Sequence, residues 1–227
     1  FQKNFRQEWS HYVNHGYMPP IYPADMYAPQ DLERQYDKEV FSASVKDEFS
    51  IGKHQMTVGV NAEKQQNQIN GWSFLIPAFN QFNSGLFAYD KIQLNELWML
   101  HGAVRLDYGK IEMKQYTDWF ESEVSQNGQT IQEYLKRSED LTKTFNSFTW
   151  SAGVNYNPGK VSFKANAGTS FRMPIAKELA SNGVNYHYFR FEKGNRNLDA
   201  ERSYQLDLGI DWQENKWSVQ LSPFFNY

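Results

Sequence analysis

Residues 149–172 read TWSAGVNYNPGKVSFKANAGTSFR, and the period of that stretch decides the fold class. Trp150, Ala152, Val154 and Tyr156 fall on one side of an extended chain, with Thr149, Ser151, Gly153 and Asn155 on the other. Past a break at Pro158-Gly159 the alternation resumes, with Val161, Phe163, Ala165, Ala167, Thr169 and Phe171 set against Ser162, Lys164, Asn166, Gly168, Ser170 and Arg172. Successive side chains of a strand point to opposite faces, so the stretch is a long hairpin with one apolar face and one polar face.

The same pattern extends in both directions. Leu100, Gly102, Val104, Leu106 and Tyr108 alternate with His101, Ala103, Arg105, Asp107 and Gly109, and Tyr204, Leu206, Leu208, Ile210 and Trp212 alternate with Gln205, Asp207, Gly209 and Asp211. Globular strands commonly run ~5–6 residues and a tilted membrane-crossing strand ~9–11; the alternations here are of the longer kind. Tight turns at Gly52–His54, Asn95–Glu96, Pro158–Gly159 and Glu214–Asn215 alternate with long connections near 14–37, 69–80, 116–146 and 173–199. Strands joined by tight turns are antiparallel, so all the long loops emerge at one rim, as in an outer-membrane barrel. The expected architecture is all-β: an antiparallel transmembrane β-barrel, present as a partial barrel of about nine strands, with residues 1–227 forming part of one barrel domain. Two details are less regular. Asp47 interrupts the row of Phe41, Ala43, Val45, Phe49 and Ile51, and the apolar residues change phase across 82–94, which predicts a bulge or a misplaced strand end.

Composition narrows the function classes. No run of residues is long and apolar enough for a membrane helix, and mean hydropathy is −0.73. Aromatics make up 17% of the chain, which suits β structure with interfacial rings rather than disorder. A net charge of −3 gives no electrostatic case for nucleic acid. With no cysteine there is neither a disulfide framework nor a thiolate metal site. Phe1–Ser10 lacks the apolar core of a signal peptide, residues from Phe1 to about Val13 already read as strand, and Phe224-Phe225-Asn226-Tyr227 stops in mid-strand. The chain therefore reads as a fragment, and its free sheet edges predict self-association of the isolated piece. No nucleophile elbow, zinc helix motif or phosphate loop is present, so no enzyme is expected. His11 and His15 read as a solvated loop pair. The rival of another class is a soluble β-sheet ligand-binding module with aromatic loops, since a sandwich also alternates.

Between the last long strands lies the most distinctive segment. Pro174 ends a strand at Phe171-Arg172-Met173, and 174–180 reads as a short helix with proline in its first turn, closed by Ser181-Asn182-Gly183. Tyr186-His187-Tyr188-Phe189-Arg190 and then Gly194-Asn195-Arg196-Asn197-Leu198 follow. FRMP, KELASNGV, and GNRNL running into ERSYQLDLG resemble the late-barrel signature of TonB-dependent outer-membrane receptors, usually FRAP, then EL-SNG, then GNPNL. Gly71-Trp72 through Phe79, 85–90 (GLFAYD) and Leu100–Tyr108 are similar to the family as well.

The resemblance implies a 22-stranded barrel in the bacterial outer membrane, occluded by an N-terminal plug, that imports a ferric siderophore or haem with TonB energy. Oligosaccharide and cobalamin are the alternative cargoes, and no resident cofactor is expected. Neither plug nor TonB box lies within these residues, so TonB would be reached through a domain absent here. In haem receptors a histidine in this interval is an axial iron ligand. His187 occupies the interval and would be a metal ligand only for a haem cargo, whereas many relatives place that histidine where Asn185 stands. Arg196 replaces the usual proline, which predicts a looser turn. Arg172 and Arg190 are candidates to meet an anionic chelate by charge-assisted bonds, Arg172 having a wall or plug partner as its other reading. Tyr186, Tyr188 and Phe189, with Trp119 and Phe120, are candidates to stack on a planar ligand or to pack loop on loop. Gly168 and Gly194 read as backbone devices.

Overall fold

The computed structural model describes residues 1–9, 32–185, 188 and 190–227. The strands are β1 (Gln2–Trp9), β2 (Leu32–Ile51), β3 (His54–Asn70), β4 (Phe79–Gln93), β5 (Trp98–Met113), β6 (Tyr116–Gln126), β7 (Gln129–Ser138), β8 (Leu141–Tyr156) and β9 (Val161–Arg172). A short helix α1 (Ala176–Ala180) follows, then β10 (Asn182–Asn185), β11 (Arg190–Lys193), β12 (Glu201–Glu214), β13 (Trp217–Leu221) and β14 (Phe224–Asn226). One antiparallel sheet runs in the order β1-β2-β3-β4-β5-β8-β9-β12-β13, with β14 also on β12. β13 and β14 keep a single register against β12 (Ile210↔Leu221, Gln205↔Asn226), so they are one strand position interrupted where Pro223 has no N–H to give. The hairpins β6-β7 and β10-β11 stand apart from the wall. The sheet is open, with β1 and β13 at its edges.

Register shows which face meets lipid. Val45, Val60, Leu86, Leu106 and Phe148 form one unbroken cross-strand row. All five are 48–70% exposed. The neighbouring row on the other face is Ser44, Asn61, Gly85, Asp107 and Ser147. Among the described residues no second layer covers the apolar row, and in water a greasy stripe of that width would be a strong aggregation site. A lipid-facing wall around a polar interior removes the contradiction.

The apolar band is also tilted against the strands. Phe49, Met56, Asp90, Gly102, Ala152, Ala167 and Leu206 share a row. On β2 the outward band ends at Phe41, with Glu39 and Asp37 beyond; on β12 it ends at Tyr204, with Arg202 beyond. Measured from the shared row, the upper limit drops by roughly six residues over about six strand spacings, or ~20 Å along the strands for ~29 Å across them. The ratio corresponds to a tilt of about 35°, the inclination of barrel strands to the membrane normal.

Several expectations are corrected. The predicted bulge near 82–94 is absent: β4 keeps one register with both neighbours along its length. The phase change arises because Phe87 and Tyr89 face inward, Phe87 lying 5.9 Å beneath the Arg105 guanidinium. Arg105 reaches over β4 to Asn61 on β3 (Nη2 to Oδ1, 2.8 Å) because Gly85 leaves the path open; a Cβ there would stand 2.1 Å from the guanidinium. The 116–146 loop is shorter than expected. Leu141–Asn146 is strand paired to Tyr108–Met113, because the wall continues above the lipid with polar outward residues that read as loop. The 116–138 stretch is itself a hairpin, turned by Asn127 and Gly128 at positive φ. Helix α1 begins after Pro174, with Ile175 at its N-cap. Its end is not a glycine cap: Ser181 N–H and Oγ both bond the Lys177 carbonyl, and Gly183 is already in β10. Glycine is needed there for close approach, since a Cβ would sit 2.0 Å from the Phe74 carbonyl oxygen.

Candidate functional site

At the long-loop rim, segments far apart in sequence are tied into one body. The 71–78 loop hangs from β2 by Trp72 N–H to Leu32 O (3.3 Å) and Ser73 N–H to Glu33 O (2.9 Å). Asn182 joins it to the 173–200 segment through N–H to Leu75 O (3.1 Å) and reaches β7 through Nδ2 to Arg137 O (2.9 Å). Arg34, only 2% exposed, donates to Val184 O (3.0 Å) and pairs with Glu8 (2.8 Å) and Glu33 (2.6 Å). A cation so deeply buried stands only with its charge compensated, so this cluster is a structural anchor.

Beneath that junction the 173–200 segment folds onto the inner face of the wall. Ala176 and Leu179 of α1 pack against Phe79, Ile111, Met113 and Phe145, with Phe171, Met173 and Leu198 at the margin. Register parity puts Phe79, Ile111, Met113 and Phe145 on the interior side of β4, β5 and β8. A dry cluster thus caps the polar interior beside the loops, and Pro174 is buried with it.

The loops enclose a cleft of about 250 Å³ walled by Arg34, Tyr36, Ile69, Phe74, Tyr116 and Trp119. Phe74 and Tyr116 stack with centroids 4.7 Å apart. Burial pushes the phenols of Tyr36 and Tyr116 each up to about 12, so both stay protonated and neutral at ordinary pH. Behind the cleft, Asp118 is buried against Arg137 (2.7 Å). Burial raises its carboxyl despite the opposing pull of the guanidinium. The surface offered to a ligand is therefore aromatic and hydroxylic, with the Arg34 charge already balanced.

The expected site residues separate into three places. Trp119 lines the cleft, and Phe120 packs edge-on against it at 5.1 Å. Arg172 is occupied elsewhere. It holds Glu201 across the strand pair (2.5 and 2.7 Å) and Glu178 of α1 (2.9 and 3.0 Å), while Glu178 accepts the Ile175 N–H (3.0 Å). Tyr188 and Arg190 stand at the exposed tip of the β10-β11 hairpin, the guanidinium 5.3 Å over the ring and paired with Glu192 (2.8 Å). Tyr186, His187 and Phe189, like His11 and His15, lie outside the described residues. In the remaining motif the expected loose turn is closed: Leu198 N–H bonds Asn195 O (3.3 Å) and Asn197 N–H bonds Asn195 Oδ1 (3.0 Å). Arg196 instead spans to the 114–140 connection, pairing with Glu139 and donating to Asp140 O (3.0 Å). Arg34, Tyr36, Phe74 and Tyr116 were not singled out from the sequence. Only the aromatic flanks of the long connections hinted at them.

One electrostatic prediction arises here. Glu192 is bound by Lys177 (2.8 Å), Arg190 (2.8 Å) and Asn185 Nδ2 (3.0 Å). Chiefly through Lys177, its carboxyl falls from 4.5 to about 2. A depressed carboxylate stabilises the fold above its unfolded value, and that contribution is lost as pH falls through the folded value. Protection of the amides of Asn182–Asn185 and Arg190–Lys193, taken relative to the intrinsic exchange rate at each pH, is therefore expected to fall between pH 4.5 and about 2, and Glu192→Gln to remove that dependence. A flat profile in the unsubstituted protein would show that these ion pairs do not hold the hairpin.

Comparison with known proteins agrees with this geometry. The family described as TonB dependent receptor-like, beta-barrel matches residues 1–227. The copper transporter OprC superposes with a TM-score of 0.67 at 15% identity, over 85% of this chain and 31% of its own. The siderophore receptor PiuA from Acinetobacter baumannii superposes with a TM-score of 0.57 at 14% identity, over 85% of this chain and 32% of its own. The chain thus spans just under a third of each of these solved structures. A search among curated proteins gives no match. With its outward apolar rows, its polar interior, its long-loop rim and a family match from the first residue to the last, the chain belongs to the TonB-dependent receptor β-barrel family of the bacterial outer membrane.

Proposed function

We propose that this wall is part of a receptor that captures a small iron complex at its long-loop rim and imports it with TonB energy. The observation that carries the reading is the aromatic cleft between the converging loops, set above the interior of a wall of this family. Stacked rings and two neutral phenols suit a compact, partly aromatic chelate better than a bare ion. PiuA is a siderophore receptor and OprC a copper transporter, so both supply the general theme of metal import. If the cargo is haem, His187 is the candidate axial ligand.

The test is binding and uptake by the full-length receptor of ferric siderophores, haem and copper salts under iron limitation. Uptake of a ferric chelate is expected, with affinity reduced roughly tenfold or more by Tyr116→Ala or Trp119→Ala, as loss of a stacking partner in a desolvated cleft implies. Transport of copper alone, or of a glycan or cobalamin, would overturn the iron reading. Unchanged affinity in both variants would move the site away from the cleft. His187→Ala separates the haem arm, since haem-dependent growth should then disappear.

A further inference from the structure

Tyr116 and Trp119 both wall the cleft although they stand three residues apart on β6, and a regular strand would turn them to opposite faces. The pairing with β7 shows how both arrive. Tyr116 faces Ser138 and Thr117 faces Lys136, so Arg137 is passed over. Thr117 faces Lys136 and Glu121 faces Tyr134, so Asp118, Trp119 and Phe120 stand opposite Leu135 alone. Two consecutive bulges thus interrupt the ladder, one on each strand, and bulges re-aim side chains. An interrupted ladder does not by itself fix which way Trp119 points. A side-chain tie spans the gap and joins the two bulges: Arg137 Nε donates to Asp118 Oδ2 at 2.7 Å, and the Asp118 side chain is only 1% exposed. Arg137 is held in turn, its carbonyl accepting Asn182 Nδ2 at 2.9 Å.

From this arrangement we propose that Asp118 and Arg137 are positioning residues for cargo, whose buried pair locks the two bulges together and so holds the Trp119 ring in the cleft wall beside Tyr116. Neither is among the residues lining the cleft, so both act through the ring. A buried ion pair is weak evidence for stability, because a neutral pair of like volume is often as stable. What this one supplies is a single arrangement. Three residues opposite one can pack in more than one way, and the requirement that the Asp118 carboxylate meet the Arg137 guanidinium selects the way that turns Trp119 to the cleft. The pair also carries the junction with Asn182 to the aromatic wall, since Arg137 belongs to both. The role in cargo binding rests on the cleft being the cargo site.

The test uses the full-length receptor labelled with 5-fluorotryptophan, its Trp119 fluorine resonance assigned through Trp119→Phe. The wild type is expected to give one sharp Trp119 line. Asp118→Asn/Arg137→Gln removes both charges together and leaves no uncompensated ion buried, so the melting of the barrel should be unchanged while the Trp119 line splits or broadens. Glu139→Gln breaks the neighbouring pair with Arg196 but lies outside both bulges, and it should leave the line as in the wild type. Where the double variant does not fold, Asp118→Asn alone is read and the same splitting is expected. In binding of a ferric catecholate, the double substitution should weaken affinity roughly tenfold, and should weaken it no further in the Trp119→Ala background, because residues acting through one ring do not add. A single unshifted Trp119 line in the folded variant, equal splitting in Glu139→Gln, or an additive loss in the Trp119→Ala background would each overturn the assignment. Unchanged chelate affinity in Trp119→Ala alone would instead remove the cargo role of the cleft, and the resonance would still decide whether the pair positions the ring.

Discussion

Val104→Arg is expected to lower the stability of the full-length barrel in lipid bilayers by ~2–4 kcal/mol, the toll of a guanidinium near the bilayer midplane. Val104 lies midway along the outward row of β5, with Leu106 and Tyr108 above it and Gly102, Leu100 and Trp98 below, and it is 48% exposed. The decisive measurement is the gradient along the strand. Tyr108→Arg, on the same face at the edge of the band, should lose only ~0–1 kcal/mol because its charge reaches the headgroup layer. Gln205→Lys, on the inner face of β12, should be close to neutral, since that face is wet. A sandwich with the same row buried between two sheets gives no such depth dependence: both β5 substitutions would be severe. Urea titrations of folding into vesicles read the three values. Equal losses at Val104 and Tyr108 would remove the lipid from the outer face and the receptor interpretation with it.

The wall was legible in the sequence because a barrel strand writes its two environments into alternate residues. Trp150 to Tyr156 and Tyr204 to Trp212 keep that code, and the structure places both rows on the lipid side. The code failed where a residue's environment is set by a neighbour across the sheet. Phe87 and Tyr89 look out of phase in a one-dimensional reading, yet Phe87 faces inward because Gly59, directly across from it on β3, makes room for the ring and Gly85, two residues away on β4, for Arg105. Strand ends failed for a related reason. Above the lipid the wall is wet on both faces, so 141–146 loses its alternation without losing its pairing. The cleft was the least legible part. Arg34, Phe74, Tyr116 and Trp119 meet through loop closure, which no local period encodes. Arg172 reads from the sequence either as a ligand contact or as a residue paired with the wall or plug, and its two carboxylate partners, which no local period identifies, come from α1 and β12.

Leu179→Ala should release the 173–200 segment from the interior without unfolding the wall. Leu179 is 0% exposed and packed against Ala176, Ile111, Met113, Phe79 and Phe145. Truncating a leucine so placed removes ~2–5 kcal/mol of packing. That loss falls on a segment whose other ties are polar: the Arg172 pair with Glu178, the Arg196 pair with Glu139, and hydrogen bonds from Arg34 to Val184 O (3.0 Å), Asn182 N–H to Leu75 O (3.1 Å), Asn182 Nδ2 to Arg137 O (2.9 Å), Arg196 to Asp140 O (3.0 Å) and Lys143 Nζ to Leu198 O (2.7 Å). Ion pairs this exposed each contribute little, so the dry cluster supplies most of the docking free energy and local opening should dominate. Amide exchange reports it directly. Leu179, Gly194 and Asn195, whose N–H groups bond Ile175 O, Ser181 O and Glu178 O, should exchange about thirtyfold faster or more, while mid-strand amides of β9 and β12 keep their protection. The effect should also reach the cleft, because Asn182 N–H to Leu75 O ties the segment to the loop carrying Phe74. Ligand affinity of the full-length receptor should then fall with docking, although Leu179 is not among the residues lining the cleft. Uniform acceleration across β9 and β12 would show that the cluster supports the whole wall, and no acceleration would show that the polar ties alone hold the loop.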